Sequence, residues 1–429
     1  MMRGKLRSYL FFFLIVLVSV SVSASVRSDE ASPYEMLRSL HHLQDDVAAG
    51  KADALTKQAD ALAAFGARLH QTDLSAFNDA RNIYALITYL FIGGDPDIVA
   101  SLLQEIPEGL VSQYLVEGAL AYAYNRRDDF LDTFSAFSLE EKGWPEALCL
   151  SIYLSLIPDQ ISKDPMSASA RLDYIRLMAP GSLFEETAIR RQLRLAATLY
   201  DVKKINLLVR NYANRFSNSS YASSFWNEFA YVAPMIDSRL TDASLDRLIS
   251  LVPLRIQYLT YLYIARTALI DGRVERAFHG ARQADNLAMK LKIDNTAARF
   301  YYAASQVATP AAPRAIKMLQ AIRADDLEER DRPLLDAARF IAKGVVYYPK
   351  SMIVDTKLIE KSDNIDDNVS LWHELTLESF PLPDDLGDYF SISELRRQNA
   401  GKSDEIADSL KRAQEKLDLV DQLLKEEVK

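Results

Sequence analysis

Catalytic and metal chemistry usually needs histidine, cysteine and carboxylate side chains at short, regular spacings, and such groupings are sparse in this chain. The five histidines are His41, His42, His70, His279 and His373. None stands in a His-Glu-x-x-His or mixed Cys/His pattern of the kind that supplies ligands to zinc. His41, His42, Asp45 and Asp46 crowd one segment, and His42 and Asp46, four apart, can share a helix face. A solvated polar face is a simpler reading of them than a metal site. There is no Gly-x-Gly-x-x-Gly, no phosphate loop and no Gly-x-Ser-x-Gly elbow. Gly93-Gly94-Asp95-Pro96 looks loop-like, but it separates two helical patterns and reads as a turn. Cys149, the single cysteine, lies in the apolar run WPEALCLSIYL and reads as a buried core thiol. The residues therefore predict no catalytic group, no metal and no cofactor.

The elements around these residues are helical. Apolar residues at i, i+3, i+4 and i+7 recur from Tyr34 to Tyr347, while extended alternation is hard to find, so the fold class is all-α. Asp79 to Phe91, the Gly93–Pro96 break and Asp97 to Gln104 make a helical hairpin, with proline placed early in its second helix. Val116 to Tyr124 and Phe130 to Phe137 make a second, around the polar turn Asn125 to Asp129. Glu186 to Tyr200 and Lys203 to Phe216 make a third, and Ala297 to Gln306 with Arg314 to Arg323 another, split by Thr309-Pro310-Ala311-Ala312-Pro313. The clearest unit is Tyr258 to Met289, with Ala265, Ala268, Gly272, Ala277, Ala281 and Ala284 close to the small-residue skeleton of a tetratricopeptide-like repeat. Hairpins of irregular length suggest an α-solenoid, whose units stack because none can bury its apolar faces alone. A single irregular helical domain is the alternative.

The ends of the chain differ from this body. Residues 1–24 read as a secretory signal peptide: Arg3, Lys5 and Arg7 without an acid, then the apolar run LFFFLIVLV, then small residues. Cleavage is expected between Ala24 and Ser25; the alternative, an uncleaved anchor, has an apolar run short of the roughly 20 residues a spanning helix wants. Export with a lone cysteine leaves no intrachain disulfide to form and suits a bacterial periplasm. The repeat domain is placed at 25–348, an acidic linker at 349–400 and a final helix at 401–429. From Lys361 to Ser391 eight acids face one lysine around Pro381 and Pro383, which reads as a solvated connection. Beyond it Ser403 can cap a helix bearing Ile406, Leu410, Ala413, Leu417, Val420 and Leu424 at spacings of 4, 3, 4, 3 and 4, a two-position heptad seam. Those six residues are the candidate partner-binding stripe; packing back as a terminal cap is the equal alternative.

Net charge is −9, and losing the leader makes it −12. That sign opposes the field of a nucleic-acid or anionic-membrane binder. One enzyme deserves weighing. Periplasmic lytic transglycosylases are helical superhelices using a glutamate in a Glu-Ser-aromatic context, which Glu378-Ser379-Phe380 resembles. A general acid needs an apolar cleft to raise its pKa, whereas Glu378 borders the acidic, proline-bearing stretch, and no Gly-Leu-Met-Gln stretch follows. A helical solute-binding protein is a further alternative.

A broader resemblance covers most of the chain. Pro33 to Leu40 with the continuation to Leu55, then Ile92 to Pro96 with Val99, Leu102 and Leu103, then Glu117 to Tyr122, then Ala265 to Leu269 with Gly272 resemble, in the same order, the MotC family of periplasmic flagellar-motor proteins. The motifs are packing and turn residues. The resemblance implies a non-enzymatic motor accessory that contacts the periplasmic part of a MotB-type stator protein and is needed for rotation. It supplies no catalytic or mapped binding residue.

Overall fold

The computed structural model describes residues 31–134, 138 and 142–347, and every regular element among them is helical. The leader with Ala24 and Ser25, the acidic segment with Glu378, and the heptad residues Ile406, Leu410, Ala413, Leu417, Val420 and Leu424 lie outside the described residues.

The helices are α1 (Pro33–Ala48), α2 (Ala54–Leu69), α3 (Ala80–Phe91), α4 (Pro96–Glu105), α5 (Gln113–Ala123), α6 (Arg127–Phe134), α7 (Glu146–Lys163), α8 (Pro165–Met178), α9 (Leu183–Thr198), α10 (Val202–Arg215), α11 (Ala222–Met235), α12 (Asp242–Ile249), α13 (Leu254–Ile270), α14 (Val274–Leu291), α15 (Thr296–Ser305), α16 (Ala312–Ala321) and α17 (Arg332–Tyr347). Their starts are chemically specified. Ser32 and Glu35 close a reciprocal capping box on α1, and Asp79, Asp95, Asp164, Ser182, Asp201 and Thr241 each accept a backbone N–H at the head of a later helix. Pro33, Pro96 and Pro165 follow three of these caps directly, where their missing N–H costs nothing.

Neighbouring helices pair as hairpins, and the hairpins then stack: α3 on α7, α9 on α11, α11 on α13 and α13 on α15 form one layer. Helices α8, α10, α14 and α16 each pack on the layer helix that precedes them. The N-terminal hairpin lies across this series, since α1 packs against both α3 and α9. Its chain reversal docks on the α10–α11 loop, where the Ser220 N–H donates to the Val47 carbonyl. One consequence is that Val47, Ala48 and Ala54 bury in the same apolar cluster as α9 to α13, while Leu37 and Leu40 bury with α3 to α8.

Several boundaries differ from the sequence reading, for local reasons. α5 begins at Gln113 rather than Val116 and α6 at Arg127 rather than Phe130, so the reversal between them is shorter than the polar run suggested; Asn125, at φ 54°, makes the turn. α9 starts at Leu183, three residues early, because Ser182 caps it. α16 starts at Ala312, since Pro313 fits its first turn. The skeleton of the α13–α14 unit is as expected: Ala265, Ala268, Ala277, Ala281 and Ala284 are fully buried, and Gly272 turns the chain at φ +69°. Tyr258 and Tyr261 are buried, whereas Tyr124 is largely exposed.

The apolar residues around Cys149 do form a helix, α7, and every residue from Leu148 to Ile157 is buried; a helix covered all round has no polar face to mark its ends. Cys149 is among them, its thiol 3.9 Å from the Trp144 carbonyl. Pro158 lies inside α7 and has no N–H for the Leu154 carbonyl four residues back. The Arg191 guanidinium of α9 donates to that carbonyl instead. Burial holds the Arg191 pKa down at about 10.

Two turn glycines should respond differently to alanine. At Gly50, φ +73°, an added Cβ would lie 1.8 Å from the Asn218 carbonyl oxygen, whereas at Gly272 nothing stands within 4 Å. Gly272→Ala should cost the left-handed strain alone, about 1 kcal/mol. Gly50→Ala should cost about 2 kcal/mol or more, since the latch on the α10–α11 loop must also open. Denaturant unfolding of the two variants tests this; equal losses would mean that the N-terminal reversal is not tightly docked.

Candidate functional site

The richest gathering of chemically capable side chains forms where α12 and the α11–α12 connection meet α13 and α14. Asp242 and Asp246 sit one turn apart on α12, and Asp237 precedes that helix. Arg276 of α14 is almost wholly buried and donates to Asp237 (2.6 Å), to Asp242 (2.7 Å) and to the Leu240 carbonyl. His279, one turn on, places Nε2 2.8 Å from Asp246 Oδ1 and Nδ1 3.3 Å from Asp242 Oδ2. Tyr261 of α13 donates its hydroxyl to the same Asp246 oxygen at 2.6 Å, and Gln283 donates to the other at 3.1 Å. Burial, then the bond to Asp246, hold the Tyr261 hydroxyl well above the usual phenol range.

Beside this network opens a groove of about 640 Å³, with Asp246 and Tyr261 on its floor and Gln257, Asn286, Met289 and Lys290 around it. Both Asp246 oxygens are engaged by fixed donors, so the carboxylate serves to lock α12 against α13 and α14. The groove mixes polar and apolar lining and is edged by Met289, 59% exposed, and Lys290. It carries amide, cationic and thioether groups side by side.

Similar buried links recur along the stack. Arg266 of α13 pairs with Asp331 at 2.8 Å, both nearly inaccessible, and the Tyr301 hydroxyl donates to the other Asp331 oxygen at 2.6 Å. Glu186 of α9 accepts from Tyr212 and Ser219, each at 2.6 Å, and burial raises its pKa above the ordinary value. Arg194 and Glu228 join α9 to α11 through two bonds of 2.6 Å.

The sequence reading singled out His41, His42, Asp45 and Asp46, and the structure separates the two histidines. His42 is exposed, while His41 packs edge-on against Phe184 of α9 with ring centroids 6.2 Å apart. Among the described residues no group of three or more His, Cys, Asp or Glu side chains is arranged to hold a metal ion. His279, weighed only as a member of a zinc pattern, was the histidine that mattered. The Asp242–Asp246 spacing was its visible signal, but their Arg276 and His279 partners lie more than thirty positions away.

Fold and site together define an all-α stack of helical hairpins, cross-tied by buried Arg, Asp, Glu and Tyr side chains and open at a polar groove. Comparison with known proteins gives its kinship. The family described as "Chemotaxis protein MotC" matches residues 2–429, and the chain belongs to that family. A chemotaxis protein MotC of Rhizobium meliloti (strain 1021) is 31% identical over 323 residues, covering 75% of this chain and 74% of its own length. No solved structure matches.

His41 makes the stack sensitive to acid. Burial, then the neighbouring His42 charge, lower its pKa from 6.5 to about 4. Between those values the unfolded chain binds the proton and the folded one does not. Through this residue acid therefore removes up to about 3 kcal/mol of stability: nothing is lost above pH 6.5, and the loss grows as pH falls towards 4. Glu186, raised by burial, slopes the other way. In denaturant unfolding from pH 7 to 4, wild type should thus lose stability relative to His41→Leu; a constant difference would refute the assignment.

Proposed function

We propose that this protein is a non-enzymatic scaffold of the flagellar motor, acting in the periplasm, where it binds the periplasmic part of a MotB-type stator protein and supports rotation and motility. Membership of the MotC family over nearly the whole chain carries this reading. The leader-like residues 1–24, with cleavage between Ala24 and Ser25, favour export, and among the described residues no helix is long and apolar enough to cross a membrane. The architecture agrees with a binding role: its buried ionisable groups hold helices to one another, and its groove is preformed.

The groove between α12, α13 and α14 is the proposed contact face, because it combines exposed apolar and polar groups on rigid helices. Captured on a column, the mature chain should retain the stator protein's periplasmic region. Loss of the gene should abolish swimming, and a wild-type copy should restore it. Met289→Asp combined with Lys290→Glu should weaken the capture at least tenfold, about 1.4 kcal/mol, with the unfolding transition unchanged, because both side chains stand at the rim. No capture together with normal swimming would remove the motor assignment. Capture that is indifferent to the two rim changes would move the contact face elsewhere on the stack.

A further inference from the structure

The last described helix leaves an apolar face uncovered. α17 buries Leu335, Ala338 and Ala342 against α15 and α16, and Arg339 donates to the Leu319 and Ile322 carbonyls. Its other side carries Phe340, 78% exposed, Ile341 and Val345. Next to them runs an apolar groove of about 410 Å³, walled by Leu269, Ile270 and Val274 at the α13–α14 turn, by Val307, and by Leu334 and Ile341 of α17. In the stack α14 covers α13 and α16 covers α15. Among the described residues no following helix covers α17, although a stacked array needs its terminal unit closed by an element with a polar outer face.

We propose that residues 404–424 of this same chain dock in cis on α17 and the adjoining groove, closing the stack as its terminal helix. Three features select this occupant. First, the chain leaves α17 at Tyr347 and has 82 further residues. Residues 348–403 are long enough to return, since even a coil of that length spans about 40 Å, against about 24 Å for α17 itself. Second, Ile406, Leu410, Ala413, Leu417, Val420 and Leu424 make an apolar stripe of the kind that fits an exposed helix face, and Ala413 permits close approach. Third, the charges complement: α17 carries Arg332, Arg339 and Lys343 against Asp336, whereas residues 404–424 carry six acids against three bases. Tethering makes the encounter intramolecular, which favours it over pairing with a second chain at ordinary concentrations. The inference does not depend on the identity of any motor partner.

The test uses the full chain. Cys149 is buried and is the sole native cysteine, so introduced thiols can be read cleanly. Phe340→Cys is combined in separate proteins with Leu410→Cys, Ala413→Cys or Leu417→Cys, and with Glu415→Cys as the outward-facing control. On mild oxidation at least one seam pair should form an intrachain disulfide, in a yield independent of protein concentration and several times that of the control. Independently, Leu410→Lys with Leu417→Lys should speed amide exchange over residues 334–345 at least tenfold. Unchanged exchange there overturns the proposal. Cross-links formed only between chains also overturn it, and would make the α17 face a contact between two copies.

Discussion

A helical hairpin has two apolar faces, and its own partner helix covers only one. Everything in this structure follows from that shortfall. The pair α13–α14 shows how close the covered side must be: a Cβ added at Gly280 would stand 3.0 Å from both the Ala265 nitrogen and the Tyr261 carbonyl oxygen. Such backbone proximity is open only to Gly and Ala, which accounts for the alanine ladder of both helices. The price of close pairing is a flat outer surface that must be buried in turn, and α11 and α15 bury it. Stability is therefore shared between neighbours rather than owned by any one hairpin, which is why the two ends of the series matter so much.

Apolar stacking alone does not fix how one hairpin slides on the next, because rows of Leu and Ala fit in several registers. The buried polar links supply what it lacks. Arg276 reaches three oxygens on the α11–α12 connection and α12, and Arg266 with Tyr301 saturates Asp331 between α13, α15 and the start of α17. Sliding by a single turn would leave charges buried without partners, a loss of about 3–5 kcal/mol for each broken pair. Pro158 extends the same logic to the backbone. It frees one carbonyl in the buried stretch of the helix, and the guanidinium of Arg191 on α9 reaches it. A defect within one helix thereby becomes a link to another.

The sequence made part of this visible. The small residues at helical spacing located α13 and α14, and the Gly93–Pro96 break and the polar turns around Asn125 and Asp201 located three other hairpins, with errors of one to four residues at their ends. At α9 the error comes from a cap: Ser182 acts one residue before the first helical turn, outside any periodic stripe. The ends of α7 went unmarked because complete burial erases amphipathic contrast, and the lateral placement of α1 against α9 escaped because no local signal reports a contact between residues some 150 positions apart. The site was hidden for that second reason. Asp237, Asp242, Asp246, Arg276 and His279 are ordinary surface-type residues one by one, and only the pairing of α12 with α14 gives them a common purpose.

That common purpose also bears on what the protein can do. Its side chains are tied to one another before any second molecule is considered. In the α12–α14 network both oxygens of Asp246 and both ring nitrogens of His279 face neighbours within the protein. These contacts hold α12 against α13 and α14 and stiffen the surface above them. The groove beside it inherits that stiffness from Tyr261 and Gln283, which belong at once to the network and to the groove wall.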